Sequence, residues 1–293
     1  MQSDIFSKTL IYFTKRFGLW VFSLIAWFIS TGYFLLFPKR VMVSVRFYKV
    51  LFPDRPWMYH ICCTWKQYHN FTNNYVDRFM LRNIDEIAYI PNGKENLYEA
   101  QKNKTGGIIL MSHMGNWEIA SHVLKAEGFK FLLYMGIKQK EQIERMKKKN
   151  LALSGIEAIA IDQDNSSPFA IIDGVNFIKK GGFISLTGDR IWNEHQRSVE
   201  VSFLGHQAFF PEAPHLIALM SGAPLFFFFC AQEGKNKFQF YISKPYFVKA
   251  ASRKNRKEAI VKSAQHYANL LEDHLRKYPL EWYHFEQFLI SKQ

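Results

Sequence analysis

Cysteine is scarce in this chain, with three in 293 residues. Three are too few for the disulfide framework of a small secreted domain. Cys62 and Cys63 are adjacent and Cys230 is distant, so no Cys-x2-Cys zinc spacing occurs. There are ten histidines, yet none stands in an HExxH or other His-x3-His pattern. No metal site and no cofactor are therefore expected. Internal repeats and low-complexity tracts are missing. Acidic residues are in deficit, 25 against 38 basic ones, which leaves a net charge of +13. Such a surplus suits an acidic partner: a phospholipid surface, a nucleic acid or an acidic carrier protein. No helix-turn-helix signature or aromatic-basic recognition motif accompanies it, so nucleic acid is not an expected partner.

What is abundant is apolar. The chain is 48% hydrophobic and 17% aromatic, with 28 Phe, which excludes a disordered chain. From Phe17 to Phe37, 21 residues carry no charge. As a helix this stretch is about as long as the hydrocarbon core of a bilayer is thick. Lys15 and Arg16 precede it, and Lys39, Arg40, Arg46, Lys49 and Arg55 follow it. The segment predicts a membrane anchor that either spans the bilayer or dips into one leaflet. If it spans, the basic residues keep the main domain in the cytoplasm. Residues 1–40 are therefore read as anchor and 41–293 as the main domain.

Within that domain, residues 57 to about 100 are read as helical, with an aromatic stripe through Trp65, Tyr68 and Phe71. Short apolar runs at 108–111, 131–134, 157–161, 183–186, 225–230 and 238–242 predict strands. Helices are predicted at 116–126, 138–150, about 168–180 and 256–277. The helix 138–150 is strongly basic. Strands alternating with helices predict an α/β fold with a largely parallel central sheet flanked by helices.

The first strand runs into Ser112-His113-Met114-Gly115-Asn116-Trp117-Glu118. On one helix His113 and Glu118 would point about 140° apart. They meet only if His113 lies in a strand-to-helix loop and Glu118 in the first helical turns. Gly115 permits such a loop. The Glu118 carboxylate would then accept the Nδ1 proton of His113 and leave Nε2 as a base. Asp189 and Arg190 follow another strand and should face the same sheet edge, as acceptor-binding groups or an ordering ion pair.

These residues carry a resemblance. His-x4-Asp/Glu after a buried strand is similar to the signature of the glycerolipid and lysophospholipid acyltransferase superfamily. His113-Met114-Gly115-Asn116-Trp117-Glu118 resembles its bacterial lipid A late (lauroyl/myristoyl) acyltransferases. Phe203-Leu204-Gly205, Phe210-Pro211-Glu212-Ala213-Pro214, Ser221-Gly222-Ala223-Pro224 and Tyr278-Pro279-Leu280-Glu281-Trp282-Tyr283-His284 resemble further family segments in the same order. Where the family usually has Asp-Gln-Asp, this chain reads Thr187-Gly188-Asp189-Arg190.

The resemblance implies a membrane-bound acyltransferase of glycerolipid acyltransferase-like fold. It would move a fatty acyl chain from an acyl carrier protein thioester, or acyl-CoA, to a hydroxyl of a glycolipid such as a lipid A precursor. His113 and Glu118 would be catalytic, and Asn116, Asp189 and Arg190 would bind substrate. The altered Gly188-Asp189-Arg190 keeps a different lipid or pigment acceptor open as an alternative. A non-catalytic membrane-bound scaffold of the same fold is the other.

Overall fold

A computed structural model describes residues 18–80, 88–137, 157–162, 168–191, 196–234 and 237–287. The predicted basic helix at 138–150 lies outside the described residues. The chain groups into two compact units. One comprises Met1–Ile87 with Tyr278–Gln287, the other Ala88–Lys277 with Phe288–Gln293.

The first unit is helical. Helix α1 covers Leu19–Leu36, α2 Pro38–Leu51 and α3 Trp57–Met80. The uncharged stretch is thus not one straight helix. Pro38 has no amide hydrogen to continue α1 and forces the residue before it out of helical geometry. Phe37 accordingly sits at φ −119° and ψ 59°, and Pro38 opens α2 at its first position, where proline is tolerated. The axes of Trp20–Leu36 and Pro38–Leu51 differ by 92°. Among the described residues no single helix is long and apolar enough to cross a membrane; only this bent pair meets the requirement of length and composition.

Helix α3 buries two adjacent faces. Gln67 Nε2 donates to the Trp282 carbonyl at 2.6 Å, and Asn70 Nδ2 to Glu281 Oε1 at 3.2 Å. Tyr48 of α2 donates its hydroxyl to the Pro279 carbonyl at 3.0 Å. Trp282 is fully buried against Phe47 and His284. The Tyr-Pro-Leu-Glu-Trp-Tyr-His segment is therefore a clasp that holds α2 and α3. On the other face Trp65 meets Trp27 and Phe34 of α1 edge-on. Of the predicted aromatic stripe, Tyr68 is buried and Trp65 and Phe71 are half-buried.

The second unit is α/β, as predicted. Its strands are β1 (Ala88–Asn92), β2 (Gly107–Met111), β3 (Phe131–Ile137), β4 (Glu157–Asp162), β5 (Phe183–Thr187), β6 (Ser198–Phe203), β7 (His206–Pro211), β8 (Leu225–Gly234) and β9 (Lys237–Ile242). Its helices are α4 (Lys94–Lys102), α5 (Trp117–Ala126), α6 (Pro168–Lys179), α7 (Ala213–Ser221) and α8 (Arg256–Lys277). The seven-stranded sheet has the order β1-β9-β8-β2-β5-β3-β4. From β8 to β4 all neighbours are parallel. β9 runs antiparallel to β8, and β1 is parallel to β9.

The region predicted as helical to about residue 100 instead contains β1 and α4. The β1 burial pattern is almost wholly exposed, so it has no alternating apolar code to read. β6 and β7 form a separate hairpin. Leu204 and Gly205 both have positive φ, 53° and 76°, the geometry of a two-residue turn that matches strand twist. Gln265 of α8 bonds both the amide and the carbonyl of Ser202, each at 2.8 Å, and pins the hairpin to the helix.

The core is built on β8 and β2. Every residue of β2 is buried, as expected of a strand covered on both faces. Phe226 to Phe229 of β8 are buried beside it, and Tyr267 of α8 stacks on Phe229 at 5.9 Å. His215 of α7 is buried with them, its Nδ1 2.8 Å from Ser263 Oγ.

Burial pushes the His215 imidazole down to about 3. The unfolded chain takes up this proton near its ordinary value of about 6.5, whereas the folded protein does not. Stability should therefore be lost as pH falls from about 6.5 towards about 3. His215→Gln should flatten that dependence, read as the urea midpoint across pH at unchanged m-value.

Candidate active site

β2 and β5 are parallel neighbours in the register Met111↔Thr187. Each strand ends there, and two residues further on stand His113 and Asp189. Equal overhang on adjacent strands brings them together. Asp189 Oδ1 lies 2.8 Å from His113 Nδ1, and Asp189 Oδ2 accepts the His113 backbone amide at 2.7 Å. One carboxylate thus holds both the main chain and the ring of the same residue. The Asp189 side chain is fully buried, while that of His113 is 17% exposed. With Nδ1 on a carboxylate, the ring proton sits on Nδ1 and Nε2 remains the basic nitrogen.

The strand ends themselves are fixed. Gly188 N donates to the Met111 carbonyl at 2.8 Å, and Tyr267 Oη donates to the same oxygen at 3.0 Å. Burial, and secondarily the Asp189 charge, pushes the Tyr267 phenol well above its ordinary value. It therefore stays a proton donor. The site is anchored by the longest helix of the α/β unit.

The loop after His113 turns at Gly115, with φ +62°. A Cβ there would stand 2.3 Å from the Cys230 carbonyl oxygen of β8. Only glycine fits, on both counts. Asn116 then caps α5, its Oδ1 accepting from Ile119 N at 3.4 Å. That contact fixes Oδ1 as the acceptor and leaves Nδ2 as a buried donor with no hydrogen-bond partner among the described residues. Ser112 Oγ, on the same loop, is buried in the same condition. Two buried polar groups without a partner among the described residues thus stand on the loop that carries His113.

Glu118 sits in the first turn of α5, half-buried. The Nδ1 partnership expected of it belongs to Asp189 instead. Sequence spacing points to the acid in the adjacent helix; the in-register acid 76 residues away reads only as an acceptor-binding or ion-pairing group, because strand order is not visible in sequence. Arg190 follows Asp189 at the rim of the sheet and is half-buried. Among the described residues no group of three or more His, Cys, Asp or Glu side chains is arranged to hold a metal.

His113, its ring held by a buried carboxylate, thus stands at the C-terminal end of a parallel strand. Residues 67–289 match the model of the bacterial lipid A biosynthesis acyltransferase family. The chain belongs to that family. Family membership implies an acyltransferase working with an acyl donor and a lipid acceptor. No curated protein matches the chain in a direct comparison. The family's segments acquire local meanings in this acyltransferase. Gly222, at φ +70°, ends α7 as a left-handed cap. Pro224 O then accepts from Ile108 N at 2.9 Å as the chain enters β8.

Gly115→Ala should destabilise the protein by more than about 1 kcal/mol, since it combines a forbidden φ with a backbone clash. Gly205→Ala, also at positive φ but with nothing within 4 Å of its Cβ, should cost less. Thermal melts of the two variants side by side check the order.

Proposed function

We propose that this acyltransferase moves a fatty acyl chain from an acyl carrier protein thioester to a hydroxyl of a lipid A precursor. The observation that carries the reading is the buried Asp189 carboxylate on His113 Nδ1, which leaves Nε2 as a general base. The acceptor hydroxyl attacks the thioester carbonyl carbon while Nε2 takes its proton. The resulting imidazolium is stabilised by Asp189 and by the negative charge of Glu118. The tetrahedral oxyanion collapses, the C–S bond breaks, and the imidazolium returns the proton to the departing thiolate. The products are an ester and a free carrier thiol. The transfer is proposed as direct, without an acyl-enzyme. Asn116 Nδ2 is the proposed donor to the developing oxyanion, and Arg190 the proposed contact for an anionic acceptor headgroup.

The membrane is the proposed working surface, at the cytoplasmic face of a bacterial inner membrane. Trp20, Leu24, Phe28, Leu35 and Leu36 of α1 are exposed and apolar. Residues 1–40 are proposed as the anchor. The acyl carrier, rather than CoA, is favoured as donor by the basic run through Lys147, Lys148 and Lys149, which suits an acidic protein. The Thr187-Gly188-Asp189-Arg190 departure from the family pattern favours one variation, a different lipid or pigment acceptor. Lipid mass spectrometry of a deletion strain decides between them.

His113→Ala should lower turnover by about 10²–10⁴ with the fold intact. Asp189→Asn should fall nearly as far, because it favours the wrong tautomer. Glu118→Gln should fall less. The double variant of His113 and Asp189 should be little worse than His113→Ala alone. Wild-type transfer by purified His113→Ala would overturn the mechanism. Changing Lys147, Lys148 and Lys149 together to Glu should raise KM for carrier thioesters at low salt. That penalty should shrink as salt screens charges beyond about 10 Å.

A further inference from the structure

The helical unit contains a cavity that the transfer chemistry does not use. It has a volume of about 510 Å³ and almost wholly apolar walls. One wall is a single stripe of α1, carrying Phe22, Ile25, Ile29 and Tyr33; Phe71 and Phe285 stand among the residues opposite. At its end, just past the Phe37–Pro38 corner, lies Arg40. The Arg40 guanidinium donates to Tyr33 Oη at 2.8 Å. No carboxylate among the described residues forms an ion pair with it. A cationic group held in place by a neutral phenol, beside an apolar cavity, describes an amphiphile with an anionic head.

The dimensions select which amphiphile. From Phe22 to Tyr33 the α1 wall is about 16 Å long at 1.5 Å per residue. A bilayer's hydrocarbon core is about 30 Å thick, so this is the depth of one leaflet. Beyond the corner α2 runs at 92° to α1, and its Lys39, Arg46 and Lys49 are exposed along with Arg40. A helix of this kind lying in the headgroup plane would place α1 and the cavity along the membrane normal. Ser30 Oγ is buried in the wall about one turn below Tyr33, with no hydrogen-bond partner among the described residues. At that depth below a phosphate, a lipid ester carbonyl would accept its proton. A second α1 stripe, Leu24, Phe28 and Leu35, is also exposed and would face bulk lipid.

We propose that this cavity is a binding site for one bilayer phospholipid, with an acyl chain along α1 and the phosphate on Arg40. The lipid is a structural ligand rather than a reactant. The inference goes beyond the proposed reaction: it needs contact with a bilayer but not catalysis.

The test uses the full-length protein in phosphatidylcholine vesicles doped with phosphatidylglycerol that bears a photoreactive acyl chain. Crosslinks are mapped by mass spectrometry at Phe71, inside the cavity, and at Leu24, outside it. Labelling at Phe71 should saturate as the probe fraction rises, while labelling at Leu24 should climb in proportion. Ile29→Trp should cut Phe71 labelling about tenfold or more, since an indole and a chain cannot share a close-packed space. It should leave Leu24 unchanged. Arg40→Gln, an exposed change that spares the fold, should weaken Phe71 labelling by about fivefold, the scale of one water-accessible ion pair. His113→Ala protein should label as wild type, which separates this result from the fate of the acyltransferase mechanism. Proportional labelling at Phe71 that ignores Ile29→Trp would overturn the site. Displacement of the probe by a lipid A precursor would overturn it too, by assigning the cavity to the acceptor.

Discussion

The Asp189 carboxylate is the constraint on which the geometry around His113 depends. It is buried, and a buried charge survives only when its lone pairs are used. Here one oxygen takes the His113 amide and the other faces its ring. The bidentate grip ties the end of β5 to the loop leaving β2 and sets the ring's tautomer at the same time. Losing either strand's register would strand the charge. The sheet order, the Gly188 contact to Met111 and the Tyr267 hydroxyl on that same carbonyl all serve to keep the two overhangs equal.

Much of the α/β unit was legible in the chain. β2 and β8 read as strands because they are continuous apolar runs of strand length, and α8 because its apolar residues recur at helical spacing. β1 and the β6–β7 hairpin were not legible. β1 is an exposed edge strand, and Leu204-Gly205 lacks the Asn-Gly or Asp-Gly signal of a tight hairpin. The bend at Pro38 was written in the sequence; uniform apolarity across 17–37 masked it.

The site divides in the same way. His113 and the loop glycine follow from a local pattern, strand then turn then helix. The partner of Nδ1 does not, because local spacing ranks Glu118 above an acid far along the chain. Only the adjacency of β2 and β5 raises Asp189 from a rim residue to the group that holds the His113 ring. The family segments near 203–224 and 278–284 also sort by structure. They act as turn, helix cap and clasp, so their retention in order reports a shared scaffold as much as shared chemistry.

The clasp has a consequence in time. Helices α2 and α3 are closed by residues 278–287, roughly two hundred positions after α3 ends. At about 5–20 residues per second of synthesis, those helices wait some 10–40 s for their partner segment. Through that interval the faces of α2 and α3 that this segment later covers have no partner while the α/β unit is being made. Closure of the helical unit would then be the last step of assembly, after the whole α/β unit has been synthesised.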